Sequence, residues 1–181
     1  MKFLATALLL AGASAAPSMT IEEETKVVLD LDIWGMRNWP IFAQAMMEPG
    51  FDAFKAGKGE VTFSQCKDSL NDFHLNTKTS TFSPNPLTRG STVDIHAKGT
   101  LDKPGTLDGV VATIYYNGHK LETHNFPGTH HFDKAVDYEI KDKIPLISPP
   151  GNYKIHAVAQ GHLGSENGDV DAACIEASFD L

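Results

Sequence analysis

Apolar residues recur at every second position through much of the later chain, and a period of two is the mark of a half-buried β-strand. Within residues 91–99, Val93, Ile95 and Ala97 share one face while Asp94, His96 and Lys98 share the other. Val136-Asp137-Tyr138-Glu139-Ile140 alternates in the same way, as do Tyr153-Lys154-Ile155-His156-Ala157 and Ile175-Glu176-Ala177-Ser178-Phe179. Residues 110–116 are apolar at both parities, so the inward face of that strand stays open between Val111, Thr113 and Tyr115 and Val110, Ala112, Ile114 and Tyr116. The strand runs into Asn117-Gly118, the strongest short hairpin signal, and returns along 119–126. Shorter strands are expected at 61–63 and 73–77, with turns at Ser83-Pro84-Asn85-Pro86, Arg89-Gly90 and Pro149-Pro150-Gly151. Phe126-Pro127-Gly128 is expected to close the hairpin arm and open a polar loop reaching Lys134. Seven or eight antiparallel strands at this spacing predict an all-β sandwich or barrel.

The first third reads differently. Residues 1–15 carry Lys2, an apolar run through Leu8-Leu9-Leu10 and then Ala13-Ser14-Ala15, the layout of a secretory signal peptide. Residues 16–60 form an extension in which 25–33 alternates in part and 39–47 reads as a short helix stopped by Pro49-Gly50. This extension could be a removable propeptide, a lid, a membrane-touching element led by Trp34, Trp39, Phe42, Met46 and Met47, or a segment packed on the domain's own surface. The folded domain is expected at 61–181. No later stretch offers the ~20 apolar residues of a membrane-spanning helix, so the mature chain is expected to be secreted or held in the lumen of a vacuole or lysosome.

Charge narrows the partners. The chain has a net charge of −8, and losing Lys2 with the signal makes it −9. Nucleic acid needs clustered Lys and Arg, so the acidic balance argues against it, and no polybasic run is present for permanent docking on anionic lipid. Protonation of the eight histidines in mild acid would bring the charge toward zero and ease transient contact with such membranes. Two cysteines in an exported chain most simply form one disulfide, Cys66 to Cys174, with a pair of buried free thiols as the alternative.

Catalytic patterns are missing: there is no Gly-x-Ser-x-Gly, no phosphate-cradling glycine loop and no His-Glu-x-x-His. Enzyme activity therefore has no positive support, and no cofactor is expected. His119, His124, His130 and His131 cluster in sequence without a His-x-His or Cys-x-x-Cys pair, which reads as solvated loop histidines rather than a metal site. Asp137 and Glu139 share a strand face and read as solvated carboxylates.

The order and spacing of several segments resemble the ML lipid-recognition domain family, with its phosphatidylglycerol/phosphatidylinositol transfer proteins, Niemann-Pick type C sterol carrier and myeloid-differentiation-related members. The segments are Cys66, Ser83-Pro84-Asn85-Pro86 followed by Arg89-Gly90, Ile95-His96-Ala97-Lys98-Gly99-Thr100-Leu101, Pro149 through Ala157, and Ala173-Cys174-Ile175-Glu176. The transfer-protein branch looks most similar. Where relatives clasp the loop after the central hairpin with a further disulfide, this chain has His130-His131 and no cysteine.

The resemblance implies an immunoglobulin-like sandwich whose sheets splay around a hydrophobic cavity, and a carrier of phospholipid or sterol; a monomer is expected, though the sequence itself does not identify the oligomeric state. The walls it implies are Val93, Ile95, Val111, Ile114, Tyr116, Phe126, Tyr138, Ile140, Ile144, Tyr153, Ile155, Ala157, Ile175 and Phe179. The entrance would lie at Phe126-Pro127-Gly128 and Ile144-Pro145-Leu146-Ile147. The competing reading is an immunoglobulin-type recognition or defence-signalling module with a filled core.

Overall fold

Period-two segments become strands in the computed structural model, which describes residues 18–23, 26–31, 33, 38–47, 59–66, 72–144, 148–164 and 170–181. The signal segment, Trp34, Pro49-Gly50 and Pro145-Leu146-Ile147 lie outside the described residues. In chain order the elements are β1 (Ser18–Glu23), β2 (Lys26–Asp30), α1 (Trp39–Met46), β3 (Val61–Gln65), β4 (Phe73–Leu75), β5 (Thr81–Ser83) and β6 (Thr92–Leu101). There follow β7 (Gly105–Tyr116), β8 (His119–Phe132), β9 (Ala135–Lys143), β10 (Asn152–Leu163) and β11 (Val170–Asp180).

Two sheets form an all-β sandwich. One has the order β1-β2-β9-β6-β4, with β5 also on β6, and the other has the order β3-β11-β10-β7-β8. Among the described strands every pairing is antiparallel except that of β2 with β9, which is parallel. Residues 61–181 thus supply nine described strands rather than seven or eight, and the extension adds two more.

Register decides the inward faces. Tyr153 lies between Tyr116 and Phe179, Ile155 between Ile114 and Ala177, and Ala157 between Ala112 and Ile175, so these nine residues share the inner face of the five-stranded sheet. Across from them, Val93, Ile95 and Ala97 pair with Asp142, Ile140 and Tyr138. Val111 belongs to the outer face and is half-buried, which corrects its expected place on the cavity wall. Both parities of β7 are apolar, and only Val110, Ala112, Ile114 and Tyr116 line up with the inner residues of β10.

The hairpin forms at Asn117-Gly118, with φ of 48° and 85°, the left-handed pair a tight β-turn between twisted strands requires. Its second arm does not stop at Phe126 as expected. β8 continues to Phe132 because it is the edge of its sheet, where a proline's missing N–H is tolerated. Pro127 sits opposite Gly109 at a bulge in that ladder.

The margins differ. At one, β3 and β11 lie against β4, and the Cys66–Cys174 disulfide joins the end of β3 to β11 with Cα atoms 5.4 Å apart. At the other, β1 and α1 lie against β8, so the extension closes the gap between the two sheets. Leu29 and Val27 continue the inner face of β9 outward, opposite Ile140 and Tyr138, and both are buried.

Candidate functional site

Of the fourteen expected wall residues, all but Val111 are buried, and Ile95, Ile114, Tyr116 and Tyr153 have essentially no exposure. They face one another across the two sheets. The apolar space bounded by Ile33, Val93, Ile95, Ile140, Ile144, Ile155 and Phe179, with Asp142, measures about 10 Å³, room for one water. One of its walls, Ile33, comes from the extension.

Phe42 of α1 does the same at the tyrosine end. It is 1% exposed, meets the Tyr116 ring edge-on at 5.1 Å and the Tyr153 ring at 6.4 Å, and is itself met by Trp39 at 5.9 Å. Tyr153 in turn stacks on Phe179 at 5.5 Å. Such edge-on and stacked pairs add to the burial of the rings themselves. Tyr153 and Tyr116 donate their hydroxyls to the carbonyls of Pro149 and Pro150 at 2.7 and 2.8 Å, so the Pro-Pro-Gly turn satisfies the polar tips of an apolar wall. Burial pushes both phenols above their ordinary range, and both stay protonated at any physiological pH. Tyr138 is held up by burial in the same sense.

The lip of β8 is polar. Glu122 and His124 pair with Ile114 and Ala112 and therefore project inward at the sheet edge, with His124 Nε2 2.8 Å from Glu122 Oε1. His124 is buried, which corrects its reading as a solvated loop histidine. Asn38, buried just before α1, donates through Nδ2 to the carbonyl of Ile33 at 2.8 Å and to Glu122 Oε1 at 3.1 Å. One amide thereby latches the extension both to itself and to the lip. Nothing in the sequence pattern singles out Ile33, Asn38 or Glu122, because their roles depend on which strand the extension joins.

Outside, β6, β9 and β2 carry a charge network. Lys26 Nζ lies 2.9 Å and Lys141 Nζ 3.2 Å from Glu139 Oε2, while His96 Nε2 lies 3.2 Å from Glu139 Oε1 and 3.3 Å from Asp94 Oδ1. His96 Nδ1 meets Asp137 at 3.1 Å. Glu139 is 2% exposed, not the solvated carboxylate expected. Burial alone would raise its carboxyl, but the hydrogen bond shared with Asp94 and the contacts with Lys26 and Lys141 prevail and hold it at about 2. Asp94 moves the other way, raised by burial and by the Glu139 charge.

A depressed carboxyl stabilises the fold above its unfolded value and loses that contribution as pH falls through the folded one. For Glu139 the window runs from 4.5 down to about 2. Because Lys26 sits on β2, protonating Glu139 also loosens the extension's hold on β9. Urea unfolding followed between pH 5 and 2 is expected to show stability falling through this window, with a shallower fall in Glu139→Gln.

Two groups of metal-type donors converge among the described residues, Asp94, His96 and Glu139, and Cys66, His156 and Cys174. The first already has Lys26 and Lys141 on its carboxylate, and the sulfurs of the second are bonded to each other. A shallow depression of about 460 Å³ lies on the outer side of the five-stranded sheet, lined by Asp108, Asn125, Gln160 and Asp171 beside Val111. Val110, Phe126 and Pro127 also belong to its lining, which is about as apolar as it is polar. No helix among the described residues is long and apolar enough to cross a membrane. No protein-family model matches the chain, and no curated protein matches it.

Proposed function

We propose that this chain binds the apolar part of a lipid between its sheets and carries it between membranes, or to a protein acceptor, in a secretory, vacuolar or extracellular fluid. One observation carries the reading. The strands of 61–181 do not fill their own interior; Val27, Leu29, Leu31, Ile33 and Phe42 of the extension complete it, all at most 3% exposed. Each large side chain withdrawn from a core leaves on the order of 150 Å³. Withdrawing Ile33 and Phe42 therefore frees roughly 200–300 Å³, close to the lower end of ligand pockets at about 300 Å³.

Carriage is a matter of solvation. Each methylene kept from water is worth ~0.8 kcal/mol, so a sixteen-carbon chain resists crossing water by roughly 12 kcal/mol. An apolar interior and a bilayer solvate that chain about equally, so exchange between them is nearly balanced. Phospholipid of the phosphatidylglycerol or phosphatidylinositol type is the first choice and sterol the second, on the resemblance of the Pro-Asn-Pro, Pro-Pro-Gly-Asn-Tyr and cysteine segments to ML-domain carriers.

The small residual space of about 10 Å³ favours the second reading, a recognition module with a filled core. Native mass spectrometry of the purified protein, with organic extraction, separates them. The carrier reading expects a co-purifying lipid, or uptake of one from liposomes, and movement of labelled phospholipid from donor to acceptor liposomes. Protein that takes up no lipid and moves none supports the filled module.

A further inference from the structure

Arg89 stands just before β6, where the chain is pinned by Gly90 donating to the carbonyl of Ile144 at 2.7 Å. Its Nε and Nη2 are both buried, and neither has a hydrogen-bond partner among the described residues. A guanidinium left in this state is costly, because its donors have lost water and gained nothing in return. The two orphaned nitrogens also form one edge of the guanidinium, with N–H bonds running parallel. That fork fits two oxygens on one carbon or phosphorus atom.

Its surroundings locate it near the tyrosine end of the sandwich: Ile144, joined to Gly90 and Ser91 by backbone hydrogen bonds of 2.7 and 2.9 Å, lines the small space with Phe179, whose ring stacks on Tyr153. Burial raises the Tyr153 and Tyr116 phenols, and the Arg89 charge partly offsets this at both. Those are the rings that Phe42 meets edge-on. Asp142 lines the small space between the sheets and is engaged by other groups, so a negative charge is disfavoured deeper than the rim.

We propose that Arg89 anchors an anionic headgroup, its Nε–Nη2 edge taking two oxygens of a phosphate ester or carboxylate whose aliphatic tail occupies the space Phe42 now fills. This rests on the lipid reading above and adds charge selectivity to it. The guanidinium is a waiting partner, and the ligand completes its hydrogen bonds.

The test uses three probes with one palmitoyl tail: lysophosphatidate, free palmitate and monoacylglycerol. Binding is measured to the full chain, in the wild-type and Phe42→Ala backgrounds, with and without Arg89→Met and Arg89→Lys. Arg89→Met is expected to weaken lysophosphatidate and palmitate about tenfold or more, the usual worth of a charge-assisted fork, and to leave monoacylglycerol unchanged. Arg89→Lys, a point charge without the fork, is expected to fall between. Without lipid, Arg89→Met is expected to unfold no earlier than wild type, since it removes two buried donors that lack a hydrogen-bond partner among the described residues and keeps the apolar stem.

Equal weakening of all three probes, or no change in any, overturns the anchor and leaves lipid binding standing. Uptake of none of them by any form overturns the lipid reading and the anchor together. Full displacement of lysophosphatidate by millimolar inorganic phosphate reassigns Arg89 to a free anion and likewise overturns the proposal.

Discussion

Phe42→Ala is expected to lower the stability of the chain by about 3–5 kcal/mol, the usual cost of emptying a buried phenylalanine site, while increasing its uptake of lipid. The first effect follows from packing. Phe42 is 1% exposed and its ring is wedged against Tyr116 and Tyr153, both hydrogen-bonded through their hydroxyls to the Pro149-Pro150 carbonyls. Rings held at both ends cannot collapse into the space, so the cost should fall in the upper part of that range. The second effect distinguishes the carrier from a filled module. If the space is where a tail goes, lipid at a hundredfold excess over its dissociation constant returns ~2.7 kcal/mol of the loss. Equilibrium urea unfolding of wild type and variant, each with and without lysophospholipid, reads both numbers. A variant that is destabilised and not rescued by lipid would speak for a core that never opens.

Breaking the disulfide should have an effect of the same size at the opposite margin. Cys66 and Cys174 close a loop with a sequence separation of 108, and the double change Cys66→Ser, Cys174→Ser is expected to cost about 4–5 kcal/mol in the chain-entropy view. Local structure concentrates the loss there, because among the described strands β3 pairs with β11 alone. The bridge is also built into a polar cluster. His156 lies 3.6 Å from Cys66 Sγ and 3.5 Å from Cys174 Sγ and holds Glu176 at 3.1 Å. Burial would raise the Glu176 carboxyl, but its hydrogen bonds to His156 and Lys154 bring it below its usual range. Guanidinium unfolding of the double variant, with the native protein treated with a thiol alongside, measures the cost. A loss under about 1 kcal/mol would mean that the margin is held by strand pairing alone.

Much of this architecture is readable in the chain because it is local. Strand alternation around Val93-Ile95-Ala97 and Tyr153-Ile155-Ala157, the Asn117-Gly118 turn and the short helix beginning at Trp39 all rest on residues close in sequence. What was hidden depends on distant partners. Pro127 reads as a breaker until β8 is known to be an edge. The parity of β7 is undecidable from a run apolar on both faces and is settled by its register with β10. β2 pairs with β9 in parallel, more than a hundred residues away, and no turn or spacing announces it.

The site follows the same division. Val93, Ile95, Tyr153, Ile155 and Ala157 are legible as inward-facing because they alternate with polar neighbours, and the structure buries them. Phe42 is legible only as one apolar residue of an extension with several possible roles, while Ile33 and the Asn38 latch on Glu122 depend on partners distant in sequence. Arg89 was visible only as part of a turn. Its significance lies in two buried nitrogens that find no acceptor among the described residues.

The most direct test uses a phospholipid with a photoreactive diazirine at the end of one acyl chain, irradiated with the full chain and mapped by peptide mass spectrometry. Adducts are expected on the inner face around the aromatic end, at Tyr116, Tyr153, Ile155 or Phe179, and should be lost when unlabelled lipid competes. Adducts confined to outward-facing side chains such as Val111 and Lys154, or none that compete, would contradict a tail bound between the sheets.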